Sequence, residues 1–227
     1  IRPRGQATGQ NRLQWPLGEF DAYKSEGRIA LVPPADIQVA TNEIPPETDV
    51  LVAGRAGQPA DLTTRTFPFG GGVEYSIGDG WTELTNGRLA TASTHVVFEG
   101  RTRAGAESRI PFKVVSRNWQ ESDRLMSAVM TAVGAVTNPF AVDGYGTLDG
   151  VMLGDVMAPR IEATFNGEAI RAWRVDWGAG RGEFFVENGY LDVRGGHFRR
   201  DEAELQVDGL FSLGGMRDDG AEEVNVV

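Results

Sequence analysis

Paired carboxylates are the most abundant chemistry-bearing residues in this chain of 227 residues, which holds 32 Asp and Glu against 22 Lys and Arg. Glu183 with Glu187, or Glu202 with Glu204, has the residue types that glycoside hydrolysis uses as acid and base. Both pairs fall on the polar side of alternating strands, where solvation accounts for them. His95 and His197 are the only two histidines. Each lies beside polar residues on a strand and is expected at the surface, not as a ligand. Gly70-Gly71-Gly72 lacks a following Gly-Lys-Ser/Thr and runs into a strand, so it reads as a connection and not as a phosphate cradle. The glycines at 144, 146 and 150 with Asp149 make one imperfect copy of a calcium-binding β-roll repeat, which works only in tandem. With no cysteine, thiol nucleophiles, zinc ribbons, iron–sulfur sites and disulfides are excluded. The residues give no positive reason to expect an enzyme, a metal or a cofactor.

The formal net charge of −10 argues against a nucleic-acid partner, which needs a basic face to neutralise phosphate. It equally disfavours electrostatic docking on an anionic membrane. From Leu125 to Val142 no residue is charged, but Ser127, Thr131, Gly134, Thr137, Asn138 and Pro139 interrupt the run, so a buried or amphipathic helix is expected there and not a span. The chain starts at Ile1, and Glu222 to Val227 alternates like a strand cut in mid-run; the sequence reads as a fragment of something longer.

The elements that would position any site are mostly strands. Residues 1–16 are polar and read as an arm or connecting loop. A first β-meander region is expected over 17–116, with strands at 27–32 and 49–53, a Gly/Pro/Thr-rich connection to about Gly72, and then Val73, Tyr75 and Ile77 alternating with Glu74 and Ser76. Asp79-Gly80 and Asn86-Gly87 both carry turn chemistry. Asn118-Trp119-Gln120-Glu121 has the form of a capping box, and Leu125, Met126, Val129 and Val133 follow at helical spacing to a stop at Gly134. One helix is therefore expected within 117–136, close to 118–135. A second meander region, continuous with the first, is expected over 137–227, with strict alternation at Trp173, Val175 and Trp177 and again through Ala203, Leu205 and Val207. The whole is mostly β, with an elongated antiparallel sheet having one dry and one wet face.

Residues 73–100 also align without a gap on 182–209 at a constant offset of 109. Tyr75 falls on Phe184, Ile77 on Val186, Gly80 on Gly189, Gly87 on Gly196, Val96 on Leu205 and Phe98 on Val207. Turn glycines and apolar beads keep register together, which is how a meander unit used twice would look.

Gly150-Val151-Met152-Leu153-Gly154-Asp155, the strand Ala158-Pro159-Arg160-Ile161 through Asn166-Gly167-Glu168, Ala172-Trp173, Trp177-Gly178, Val186 to Val193 and Val207-Asp208-Gly209 to Leu213 resemble the AsmA-like/TamB (translocation and assembly module) family. Phe98-Glu99-Gly100-Arg101-Thr102 and Trp119 to Leu125 are similar to large bacterial members of that group. The resemblance covers about residues 70–227, and a helix between the two meanders departs from the usual pattern. It implies a segment of a periplasmic protein of a Gram-negative bacterium, with an inner-membrane anchor outside residues 1–227. It also implies a role in outer-membrane biogenesis: phospholipid transport toward the outer membrane or protein assembly in it, with phospholipid acyl chains and outer-membrane assembly proteins as partners. The sheet would curl into a β-taco-like groove lined by Tyr75, Ile77, Val96, Phe98, Phe184, Val186, Leu205 and Val207, with the Leu125–Val136 helix plugging or lining part of it. The alternative is a β-sandwich or β-solenoid module for carbohydrate binding or adhesion, for which Trp81, Trp173 and Trp177 would form an exposed planar row.

Overall fold

Alternation over many strands, several of them joined by two-residue turns, favours pairing between neighbours in sequence. The computed structural model describes residues 2–33, 66–103, 105, 108–132, 142–155, 158–172, 174–187, 189–212 and 223–226. Its strands are β1 (Arg2–Arg4), β2 (Gln6–Gln14), β3 (Lys24–Val32), β4 (Thr66–Pro68), β5 (Gly70–Gly78), β6 (Trp81–Ala90), β7 (Thr94–Thr102) and β8 (Ser108–Ser116). After helix α1 (Trp119–Ala132) come β9 (Asp143–Asp155), β10 (Ala158–Ala172), β11 (Val175–Glu187), β12 (Tyr190–Arg200), β13 (Ala203–Ser212) and β14 (Glu223–Val226).

Twelve of these strands form one sheet in the order β2-β3-β5 and onward through β14, while β1 and β4 pair in parallel as a separate two-stranded ribbon. All pairings in the large sheet are antiparallel. Its outermost strands, β2 and β14, do not meet, so the sheet is not closed into a barrel. The substantial contacts between elements join neighbouring strands, apart from those that α1 makes with β9 and β7. The expected mostly-β antiparallel meander with a single α-helix is present among the described residues.

The internal repeat is structural as well as sequential. Adding 109 to the bounds of β5, β6 and β7 lands within β11, β12 and β13. The irregularities coincide too. In β6 an extra residue opposes both neighbours, with breaks in register between Gly72/Glu74 on one side and Leu84/Gly87 on the other. In β12 the same extra residue appears, with breaks between Arg181/Glu183 and Val193/Gly196. Asn86 (φ 53°) and Gly195 (φ 56°) are the equivalent left-handed residues at these bulges, a conformation that Asn and Gly adopt with least strain.

Several expectations are corrected here. Asn86-Gly87 is no turn but the bulge inside continuous β6, its Asn86 amide donating to Glu74 Oε2 at 2.9 Å. The same dipeptide supplies positive φ for either purpose. Residues 6–14, expected as part of a polar arm, are the edge strand β2, exposed throughout and held by backbone pairing with β3. Gly70-Gly71-Gly72 lies within β5. The helix does not separate two rungs: β8 and β9 pair directly, from Ser108↔Gly154 to Ser116↔Gly146, so the sheet runs on beneath the excursion that contains α1. The expected strand at 49–53, the stop at Gly134 and Trp173 lie outside the described residues.

Candidate functional site

Register assigns each strand residue to one of two faces, because partners across a ladder share a face and neighbours along a strand do not. Ile161 pairs with Val186 and Met152, and Ala163 with Phe184 and Gly150. Met152 pairs in turn with Ile110, and Leu148 with Val114. Val96 pairs with Val114 and Leu89, and Phe98 with Phe112 and Gly87. Tyr75 joins Leu84 and Gly27, and Ile77 joins Thr82 and Ser25. On the far side Phe184 pairs with Val193, and Val207 and Leu205 with Gly196 and Phe198. All eight residues expected to line a groove thus share one face, here called the inner face.

That face carries almost no charge. Among the described residues of β2, β3 and β5 through β13, the inner positions hold no Asp, Glu, Lys, Arg or His except Arg200, at the last pair of β12. Its guanidinium lies 3.7 Å from Asp176. Polar inner residues gather toward the strand ends and bond to one another: Thr102 with Ser108 at 2.8 Å at one end, Thr94 with Ser122 of α1 at 2.7 Å at the other. Between these hydroxyl rims runs an apolar band of about five residues per strand, ~15 Å wide at 3.3–3.4 Å per residue.

The floor of the band is low because aromatic rings lie over cross-strand glycines. A Cβ on Gly27 would stand 2.6 Å from the Tyr75 hydroxyl, on Gly87 2.5 Å from Phe98, and on Gly180 2.5 Å from Phe198. Phe165 ties the rings together, with centroids 6.5 Å from Phe184 and 5.9 Å from Phe198, and Trp177 packs 5.4 Å from Phe198. Val114, Leu148, Ile161 and Ala163 form the buried centre. Tyr75, Ile77, Val96, Phe98, Phe184, Val186 and Leu205 are only partly buried, whereas Val207 is buried. The opposite face carries the charges, with Lys113 3.9 Å from Asp149 and Arg194 2.6 Å from Asp192; exposed pairs of this kind contribute about 0–1 kcal/mol. It is buried only in places, as at Ala90, His95, Val115 and Thr147 toward the α1 end.

Helix α1 closes one end of the band by a polar latch that the sequence did not reveal. Asn118 Oδ1 accepts from the Gln120 N–H at 3.1 Å, as an N-cap should. The reciprocal half of the expected capping box is absent: the Asn118 N–H donates to Ser116 Oγ at 3.1 Å. Glu121 instead reaches across to β6–β7, where its carboxylate accepts from the Thr91 hydroxyl and from the Ser93 N–H at 2.8 Å. Trp119 packs against the buried apolar centre. These Ser and Thr hydroxyls are engaged in docking the helix.

The histidines divide. His197 is exposed, as expected. His95 is not a surface residue: it is 2% exposed, on the outer face between Ala90 and Val115, and its Nδ1 has no hydrogen-bond partner among the described residues. Burial, with Arg88 nearby, pushes its pKa below the ordinary 6.5. The native state therefore keeps His95 neutral where the unfolded chain takes up a proton, so stability is full above pH 6.5 and falls as pH drops below it. Unfolding free energy measured from pH 7.5 to 5.5 should decline by up to about 1.4 kcal/mol per pH unit from this group, a slope lost in His95→Gln. Equal slopes in the two proteins would contradict the assignment.

The carboxylate pairs stay on solvated ground, Glu183, Glu187, Glu202 and Glu204 all being exposed. Among the described residues no cluster of three or more His, Cys, Asp or Glu could hold a metal ion, and no helix is long and apolar enough to cross a membrane. Trp81 lies on the outer face, with the Arg101 guanidinium 4.8 Å from its ring centre, while Trp177 packs with the inner rings. These two tryptophans share no exposed row. Compared with protein-family models, with curated proteins and with solved structures, the chain gives no match.

Proposed function

We propose that the inner face is a binding surface for phospholipid acyl chains, in a non-catalytic segment of a Gram-negative envelope protein that moves lipid toward the outer membrane or aids assembly there. The observation that carries this reading is the inner face, bare of charge but for Arg200 among its described residues, running across eleven strands of an open sheet. A sandwich core covers such a face with a second sheet of similar size; among the described residues the only other sheet has two strands. Acyl chains laid on the band would gain roughly 0.8 kcal/mol per methylene removed from water. The acidic outer face would keep the segment in solution. The resemblance to the AsmA-like/TamB group supports the cellular setting, with the segment in the periplasm and its anchor elsewhere in the protein. The carbohydrate-binding alternative is weakened by Trp81 and Trp177 lying on opposite faces.

The test is mass spectrometry of the protein purified from a Gram-negative host without harsh detergent. Phospholipid is expected to accompany it at one or more molecules per chain. Protein that emerges lipid-free, and stays so when offered phospholipid in micelles, would refute the proposal.

A further inference from the structure

The hairpin joining β2 to β3 gathers five of the eight large hydrophobic side chains that stand exposed among the described residues: Leu13, Trp15, Leu17, Phe20 and Tyr23, with Leu17 wholly in solvent and Phe20 60% exposed. The 3-10 turn Phe20–Ala22 builds the tip, stacking Phe20 on Tyr23 at 6.0 Å and bringing Trp15 edge-on to Phe20 at 5.6 Å. This is an organised aromatic knuckle with a leucine at its apex. Its place in the fold is specific. The β2–β3 turn lies at the same end of the strands as the β5–β6 turn and the β7–β8 connection, the end opposite α1. Leu13, on the inner face beside Ser25, links the tip to the open end of the apolar band.

We propose that this tip inserts into the interfacial layer of a phospholipid bilayer and sets the open end of the sheet against the membrane. Its composition suits that layer: tryptophan and tyrosine prefer the headgroup level, and leucine and phenylalanine the acyl boundary. The exposed apolar area is roughly 500–600 Å², taking about 200 Å² per large side chain. That is short of the ~800 Å² per partner of a stable protein interface but sufficient for reversible interfacial binding. The occupant is a neutral bilayer: Glu19 follows the apex closely and the whole chain carries −10, so anionic headgroups would repel it. The tip's role does not depend on what occupies the inner face.

Flotation with phosphatidylcholine vesicles tests the proposal. Wild-type protein is expected to float, insensitive to salt, and to float less when phosphatidylglycerol replaces a quarter of the lipid. Leu17→Asp and Trp15→Ala, both at exposed positions, should weaken flotation at least fivefold with unchanged melting. Phe98→Asp on the inner face should float as wild type, which separates this proposal from the lipid-groove reading. Wild-type protein that stays at the bottom of the gradient, tip variants that float equally well, or a wild-type dimer abolished by Leu17→Asp would overturn it.

Discussion

Gly146→Ala should lower stability by at least about 3 kcal/mol, the range reserved for strained or colliding backbone, or on the order of 10 °C in melting temperature for a chain of this size. Gly146 has φ 152°, where an L-residue side chain is rarely accommodated, and a methyl group there would collide with the backbone carbonyl oxygen of Asn166. That carbonyl belongs to β10, paired to β9 through Asn166↔Thr147, so neither side can move without breaking the ladder between them. Gly78→Ala supplies the control, since its methyl would meet only the Lys24 side chain at 3.7 Å; a cost below about 1 kcal/mol is expected there. Chemical unfolding of the two variants side by side decides the matter. Similar losses in both would show that close approach at Gly146 does not hold the sheet in shape.

The second large effect concerns the proposed ligand. Phe98→Asp puts a carboxylate into the middle of the apolar band, over Gly87 and beside Phe112. Acyl chains on that floor would have to desolvate the charge or leave, and either loss is severe. Bound phospholipid should fall at least tenfold, equivalent to about 1.4 kcal/mol. Val97→Asp places the same charge one residue along the strand, on the outer face between Arg88 and Lys113. It should leave both lipid and stability close to wild type. Equal lipid loss in both variants would mean that face does not govern binding.

Much of this architecture could be read from residue order. Alternation placed Tyr75, Ile77, Val96, Phe98 and their repeat partners on one side, and the ladder register bears this out because every strand of the meander is antiparallel to its neighbours in sequence. The offset of 109 carried through to the bulges, since Asn86 and Gly195 both supply the positive φ that an extra residue needs. What stayed hidden depends on distant partners. Glu121 looks like half of a capping box until Thr91 and Ser93, some thirty residues upstream, are brought beside it. His95 reads as a surface residue because its neighbours in sequence are polar, whereas its burial is set by cross-strand Ala90 and Val115. Residues 6–14 lack the apolar beads that mark a strand; backbone pairing along an open edge makes them one. The aromatic knuckle at 15–23 gave no periodic signal at all.

The central claim is that one face of this sheet meets acyl chains and the other meets water. Photocrosslinking asks this directly: a photoreactive residue is placed singly at Phe98 or Phe184 on the inner face and at Val97 or Glu183 on the outer face, and adducts are analysed after irradiation in Gram-negative cells. Phospholipid adducts are expected at Phe98 and Phe184 and not at Val97 or Glu183. Adducts of equal yield on both faces, or none on the inner face, would contradict it.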